Sequence, residues 1–152
     1  PNRRVVRILL MTATRLTHLR TVLRLVMAAF FLGGFVLHMT AVDALVAITP
    51  DWVPFPRAVA LITGWLELAG GLGLLLPRTR RAAGIALALY ILAVWPANIH
   101  QAVAHIVVPP IPDSWWYHGP RLALQPVLVW WALFCTGVID WPAAGPKRNG
   151  RA

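Results

Sequence analysis

The chain has 152 residues, of which 59 % are hydrophobic and only 12 % are charged, about half the charged fraction of an ordinary soluble domain. This composition is too apolar for a disordered chain, and a single cysteine excludes a disulfide-stabilised scaffold. The formal net charge is +9, from 14 lysines and arginines against 5 acidic residues. The sequence therefore predicts an integral membrane protein.

Four apolar stretches are long enough to cross a hydrocarbon core of about 30 Å, which takes roughly 20 helical residues. The predicted helices cover residues 23–41, 58–76, 82–104 and 122–139. A tight basic turn, Pro77 to Arg81, separates the second from the third, so these two are expected to be antiparallel neighbours. The predicted fold is all-α: a four-transmembrane-helix antiparallel bundle over residues 23–140, between a basic N-terminal segment, 1–22, and a basic tail, 141–152.

The placement of the basic residues argues for membrane topology rather than for a nucleic-acid-binding face. Six lie at or before the start of the first span, three in the Pro77–Arg81 turn and three in the tail. The other two loops hold only Arg57 and Arg121. Because basic residues are retained on the cytoplasmic side, we expect both termini to be cytoplasmic, in a multi-pass protein of a bacterial inner membrane.

The two loops expected on the outer face are rich in proline and tryptophan. Residues 42–57 and 105–120 are predicted to be short caps that lie against the membrane, without regular helix. At the N-terminus, Met11 is a plausible translation start, so we expect residues 1–10 to be an extension without function. A cleavable signal peptide is the alternative, but the first apolar run is longer than a signal core.

Glu67 is the most informative polar residue within a predicted span. It lies about ten residues into the second helix, roughly 15 Å deep and near the bilayer midplane. Gly64, Gly70 and Gly71 lie on or beside its face and predict close helix packing, so Glu67 should face protein rather than lipid. It is either a proton-exchanging or ligand-anchoring carboxylate, or a structural carboxylate that joins helices.

Arg121 begins the fourth predicted helix at its outer end, with Gln125 on the same face. We expect Arg121 either to pair with Glu67 or to extend outward to the lipid headgroups. Each polar residue in the spans has an ordinary structural explanation, but six of them, drawn from all four helices, converge on the outer half of the bundle. They predict a polar pocket that consists of His38, Glu67, Asn98, Gln101, Arg121 and Gln125.

Familiar motifs of soluble enzymes are missing from the sequence. It contains no glycine-rich phosphate loop, no cysteine and histidine spacing for a metal and no serine nucleophile motif, so no metal is expected. Cys135 is a lone thiol near the cytoplasmic end of the fourth helix. Because one thiol cannot cycle between dithiol and disulfide, an intramolecular thiol relay is excluded.

The order of these elements resembles the DoxX-like family of small membrane proteins. The resemblance covers roughly residues 23–132 and is carried by five segments: Gly34 with His38-Met39, Pro50 to Pro54, Thr63 to Pro77, Trp95 to His100, and Arg121 to Gln125. Ala123 departs from the proline expected between Arg121 and Gln125. The resemblance implies a four-helix inner-membrane bundle, and some relatives are subunits of quinone-linked sulfur oxidation or membrane partners of soluble oxidoreductases.

Three functions remain open from the sequence. The first is a redox-associated accessory subunit that binds a quinone or another lipophilic molecule and docks a partner such as a soluble oxidoreductase. The second is a structural or assembly protein without catalysis of its own, in which the polar residues hold the helices together. The third is a small proton-coupled transporter, for which four helices are few unless the protein forms a homo-oligomer. No cofactor is evident from the sequence, and a quinone is the candidate. The expected surroundings are membrane lipids rather than nucleic acid.

Overall fold

The computed structural model describes residues 3–143, with side chains from residue 11 onward. It contains six helices: α1 Arg3–Thr40, α2 Val42–Ile48, α3 Pro56–Leu75, α4 Arg80–Val103, α5 Trp115–Ala123 and α6 Gln125–Cys135. The described part of the chain has no β-strand, and its β-type pairing is one isolated bridge between Val108 and Ile111. The all-α prediction is therefore confirmed. Most of the predicted basic tail, from residue 144 onward, lies outside the described residues.

Three helices are long and apolar enough to cross a membrane: Met11–Thr40 within α1, Pro56–Leu75 and Arg80–Val103. They carry many large apolar side chains on the outside of the bundle, among them Phe30, Trp65 and Leu89, each more than half exposed. Such contiguous apolar surface is typical of a membrane protein, because lipid tails cover it. The described helices thus have the length and surface of a membrane-embedded bundle.

The fourth apolar stretch differs from the single helix predicted over residues 122–139. It is divided at Leu124 into α5, which begins in the preceding loop, and α6, which ends at Cys135. Pro126 lies in the first turn of α6, where a helix tolerates proline because the amide hydrogen there has no partner within the helix. Inside one continuous helix, Pro126 would remove the hydrogen bond to the Leu122 carbonyl. Alone, the 11 residues of α6 reach about 16 Å, too short for the hydrocarbon core.

The prediction that the proline-rich loops lack regular helix is wrong for parts of both. Residues Val42–Ile48 form α2, which ends before the first proline of its loop, so no proline interrupts it. The second loop forms α5 from Trp115, where the Ser114 hydroxyl caps the helix by accepting the Trp116 amide at 3.3 Å. Pro120 is accommodated within α5.

The bundle has a closed half and an open half. Helix α1 packs along α3, α3 is joined to α4 by the short basic turn, and α6 lies against α4 and α1. The buried apolar core lies in the half nearest that turn and consists of Met27, Ala28, Phe31, Leu74, Ala83, Leu87, Ala88, Ile91, Ala132 and Cys135. The other half, toward α2 and α5, contains a cavity, so the polar residues of the spans lie around an open space rather than in the apolar core.

Candidate functional site

A cavity of 870 Å³ opens between α1, α3, α4 and the start of α6. Its walls are mainly apolar, with Leu37, Leu66 and Leu128 from three different helices. The α2–α3 connection contributes Pro50 and Trp52 to the wall. The polar part of the lining consists of His38, Thr49, Thr63, Glu67, Tyr90, Asn98, Arg121 and Gln125. The cavity thus has the usual make-up of a ligand pocket, an apolar chamber with a few polar groups.

The first polar group in the cavity wall centres on Glu67 of α3. Its Oε1 accepts a hydrogen bond of 2.7 Å from the Tyr90 hydroxyl of α4. Its Oε2 is buried without a hydrogen-bond partner and lies 3.8 Å from His38 Nε2 of α1. Gly34 of α1 leaves room for the carboxylate, since a Cβ at that position would overlap Glu67 Oε2. One carboxylate of α3 therefore contacts two other helices, α1 and α4.

His38 has a defined hydrogen-bond role in this group. Its Nδ1 lies 2.6 Å from the carbonyl oxygen of Ala60, and because a carbonyl can only accept, Nδ1 carries the hydrogen and donates. The other ring nitrogen, Nε2, is the one that faces Glu67. Thr63 also lies beside the ring, with its hydroxyl oxygen 3.3 Å from Nδ1. His38 is thereby held in one orientation between α1 and α3.

The second polar group centres on Arg121 of α5. Its guanidinium donates to Gln101 Oε1 at 2.6 Å and to Asn98 Oδ1 at 2.5 Å, and both amides belong to α4. The ring of Tyr117 lies 5.8 Å from the guanidinium carbon. Gln101 is 1 % exposed, so this support is inside the protein. Arg121 is consequently half-buried and fixed by neutral amides.

The predicted pairing of Glu67 with Arg121 is not present. No ion pair within 4.0 Å joins them, and the carboxylate contacts Tyr90 and His38 instead. The physical reason is the position of Asn98 and Gln101. Their carbonyl oxygens accept hydrogen bonds from the guanidinium and hold it against α4, whereas Glu67 lies on α3. The alternative prediction was that Arg121 extends outward to the headgroups. In the structure its guanidinium instead donates inward to Asn98 and Gln101 of α4.

Five of the six residues of the predicted pocket line this cavity, and the sixth, Gln101, supports Arg121 from behind. The sequence reasoning missed Tyr90 and Thr63. Helical spacing is only a weak signal for Tyr90, because it lies two turns before Asn98 but about 80° from it around an ideal helix. Thr63 lies one helical turn before Glu67 and therefore on the same face of α3, which is a clearer signal.

The glycines predicted for helix packing lie where helices approach closely. A Cβ on Gly64 would be 2.6 Å from His38 Cβ, and one on Gly71 would be 3.1 Å from Leu32, both on α1. A Cβ on Gly70 would overlap Leu87 of α4. Without these glycines α1 and α4 could not lie so near α3, and the two polar groups would be further apart.

Residues 11–143 contain no group of three or more histidine, cysteine or acidic side chains placed to hold a metal ion. Cys135 is buried, and its thiol lies 3.6 Å from the Ala132 carbonyl oxygen in the apolar core. It therefore lies away from the cavity and its polar groups.

The family model of a domain of unknown function, DUF8561, matches residues 27–136 of the chain. The chain belongs to the DUF8561 family. The DUF8561 region contains the whole apolar core and every residue that lines the cavity. It leaves out the basic N-terminal part of α1 and the tail. No curated protein and no solved structure matches the chain.

Proposed function

We propose that this DUF8561 protein binds a lipophilic molecule with a polar head inside its helix bundle and serves as an accessory subunit in a membrane. The observation that carries the proposal is the cavity of 870 Å³, within the range of about 300–1,000 Å³ typical of small-molecule sites. Its apolar walls suit the body of such a molecule, and its polar groups suit the head.

A quinone is one ligand that fits this chemistry. Its carbonyl oxygens accept hydrogen bonds, and the Arg121 guanidinium at the cavity wall has more N–H groups than its two amide partners use. Protein side chains of this set do not store electrons, so in a redox role the bound quinone or a soluble oxidoreductase partner would carry them. The DoxX-like resemblance of the sequence favours the same class of role.

For the membrane arrangement we propose four crossings, with both termini in the cytoplasm of a bacterial cell and the cavity toward the outer face. The segment from Trp115 to Cys135 has 21 residues when α5 and α6 are taken together, long enough for a fourth crossing with a break at Leu124. The excess of basic residues at the N-terminus and in the α3–α4 turn supports this orientation.

The test is to purify the protein in mild detergent, extract it with organic solvent and identify the co-purifying lipophiles by mass spectrometry. Ala97→Phe places an aromatic ring in the cavity wall. Its control, Ile99→Phe, places the same ring outside the cavity, at a position where the isoleucine is 44 % exposed. We expect the wild type and Ile99→Phe to retain a bound lipophile and Ala97→Phe to lose it. A wild-type protein that carries none, and that no quinone analogue stabilises, would refute the proposal.

A structural or assembly role is the second candidate, and the hydrogen bonds between helices favour it. Tyr90 joins α4 to α3 through Glu67, and Arg121 joins α5 to α4. Such contacts average only about 0.6 kcal/mol each in membrane proteins, so several are needed to hold a bundle. This role predicts that Glu67→Gln lowers thermal stability and leaves lipophile binding unchanged in the folded fraction. A stable Glu67→Gln protein that has lost its ligand would exclude it.

A further inference from the structure

We infer that the molecule bound in the cavity carries an anionic head group, held by Arg121. This inference rests on the proposed function and narrows its ligand from any lipophile with a polar head, a neutral quinone included, to an oxyanion, either carboxylate or phosphate, on an apolar body. It begins from the fact that Arg121 is the one lysine or arginine among the residues that line the cavity.

Arg121 has no carboxylate partner. No acidic side chain lies within 4.0 Å of its guanidinium, and its hydrogen bonds go to the neutral amides of Asn98 and Gln101. An amide oxygen accepts a hydrogen bond but does not neutralise the charge. A half-buried guanidinium beside an apolar chamber is costly unless a counter-charge is supplied.

None of the acidic side chains of the chain pairs with Arg121, and three of the five pair with other residues. Asp43 pairs with Arg57 at 2.6 Å, Asp140 pairs with Arg20 at 2.7 Å, and Asp113 lies 3.2 Å from His105. Asp51 lies exposed in the turn after α2. With Glu67, these are all 5 acidic residues of the chain, and none of them lies within 4.0 Å of Arg121, so a bound anion would supply the close counter-charge that no acidic side chain supplies.

Glu67 shares the cavity but does not present an open negative charge to it. Its Oε1 is bonded to Tyr90, and its Oε2 is buried between Gly34 and His38 Nε2. Neither oxygen bonds to Arg121, so the guanidinium is left for another anion. Arg121 is thus the formal positive charge of the cavity wall, and the oxygens of Glu67 are directed to Tyr90 and His38.

The guanidinium is also held ready for such a ligand. Asn98 and Gln101 each fix one of its terminal nitrogens, and Gln101 is buried in the bundle. The planar group can still direct its remaining N–H bonds to an oxyanion, the geometry that makes arginine the usual partner of carboxylates and phosphates. Because it is already oriented, binding costs little further side-chain entropy.

The inference is tested with a matched pair of probes, palmitate and methyl palmitate, which share a tail and differ in charge. Binding to the purified full-length protein is measured by competition against a fluorescent fatty acid in neutral detergent. We expect palmitate to bind about tenfold or more tightly than its ester, as a charge-assisted hydrogen bond implies. Palmitoyl lysophosphatidate distinguishes the two sources of the anion: tighter binding than palmitate assigns a phospholipid head, and weaker binding a free fatty acid.

Variants assign the preference to Arg121. We expect Arg121→Gln to abolish it, Arg121→Lys to retain it at lower affinity, and Arg57→Gln, in the exposed pair with Asp43, to leave it unchanged. Equal binding of palmitate and methyl palmitate by the wild type would overturn the inference and leave the proposed function standing. A preference that persists in folded Arg121→Gln would also overturn it. If palmitate, its ester and a quinone analogue all fail to bind, the proposed function itself is refuted.

Discussion

Two adjacent glycines of α1 offer a direct test of how Glu67 is packed. A Cβ on Gly34 would overlap the Glu67 carboxylate, whereas a Cβ on Gly33 meets no atom within 4 Å. Glycine to alanine in a helix is favourable by about 1 kcal/mol, and overpacking a filled site costs roughly 1–3 kcal/mol. Because both substitutions lie in the same helix, the propensity gain cancels. The overlapped atoms are the end of the Glu67 side chain, which can shift toward the cavity at the cost of its Tyr90 hydrogen bond. Gly34→Ala should therefore be less stable than Gly33→Ala by the lower end of that range, about 1 kcal/mol.

The difference can be measured by thermal unfolding in detergent, followed by tryptophan fluorescence and by size-exclusion chromatography after heating. For a chain of this length, a difference of about 1 kcal/mol corresponds to roughly 2–4 °C in the unfolding temperature. We expect Gly33→Ala to match or exceed the wild type and Gly34→Ala to unfold first. Equal unfolding temperatures for Gly33→Ala and Gly34→Ala would refute the close packing of Glu67 against α1.

Three further outcomes are expected. Tyr90→Phe removes the donor to the Glu67 carboxylate and should lower the free energy of unfolding by about 0.6–1.7 kcal/mol; an unchanged unfolding temperature contradicts that contact. Gly84→Ala should destabilise by about 1–3 kcal/mol through overlap with α6, and a neutral effect would mean that α4 and α6 are further apart. In a cysteine-free background, Asp51→Cys should react with an impermeant thiol reagent in intact cells and Arg78→Cys should not; the reverse pattern inverts the proposed topology.

Much of the fold could be predicted because the signals are local. An apolar run of about 20 residues indicates a membrane-length helix wherever its neighbours lie, and three such helices are present in the structure. The division of the last apolar stretch was not predicted, although Pro126 was visible, because proline can either bend a helix or interrupt it. Helix α2 was missed because its loop was judged by prolines that follow it.

The residues of the candidate pocket could likewise be predicted from the sequence, but their contacts could not. Polar side chains at membrane depth are costly, so His38, Glu67 and Asn98 stood out without any knowledge of their contacts. Which of them meet depends on helix rotation and separation, and the sequence favoured opposite charges as partners. In the structure Glu67 contacts Tyr90, while Arg121 contacts neutral amides.

The sequence by itself determined that this chain is helical and apolar and that its polar groups inside the helices are few. These properties follow from the free-energy cost of placing unpaired backbone groups and charges in lipid. That cost applies to each membrane-spanning segment separately, so it acts on the local sequence. Only the tertiary structure decided that the glycines bring α1 and α4 close to α3, that a cavity remains beyond the apolar core, and that Arg121 reaches it without a carboxylate. Those features depend on contacts between residues far apart in the chain, and no local pattern specifies them.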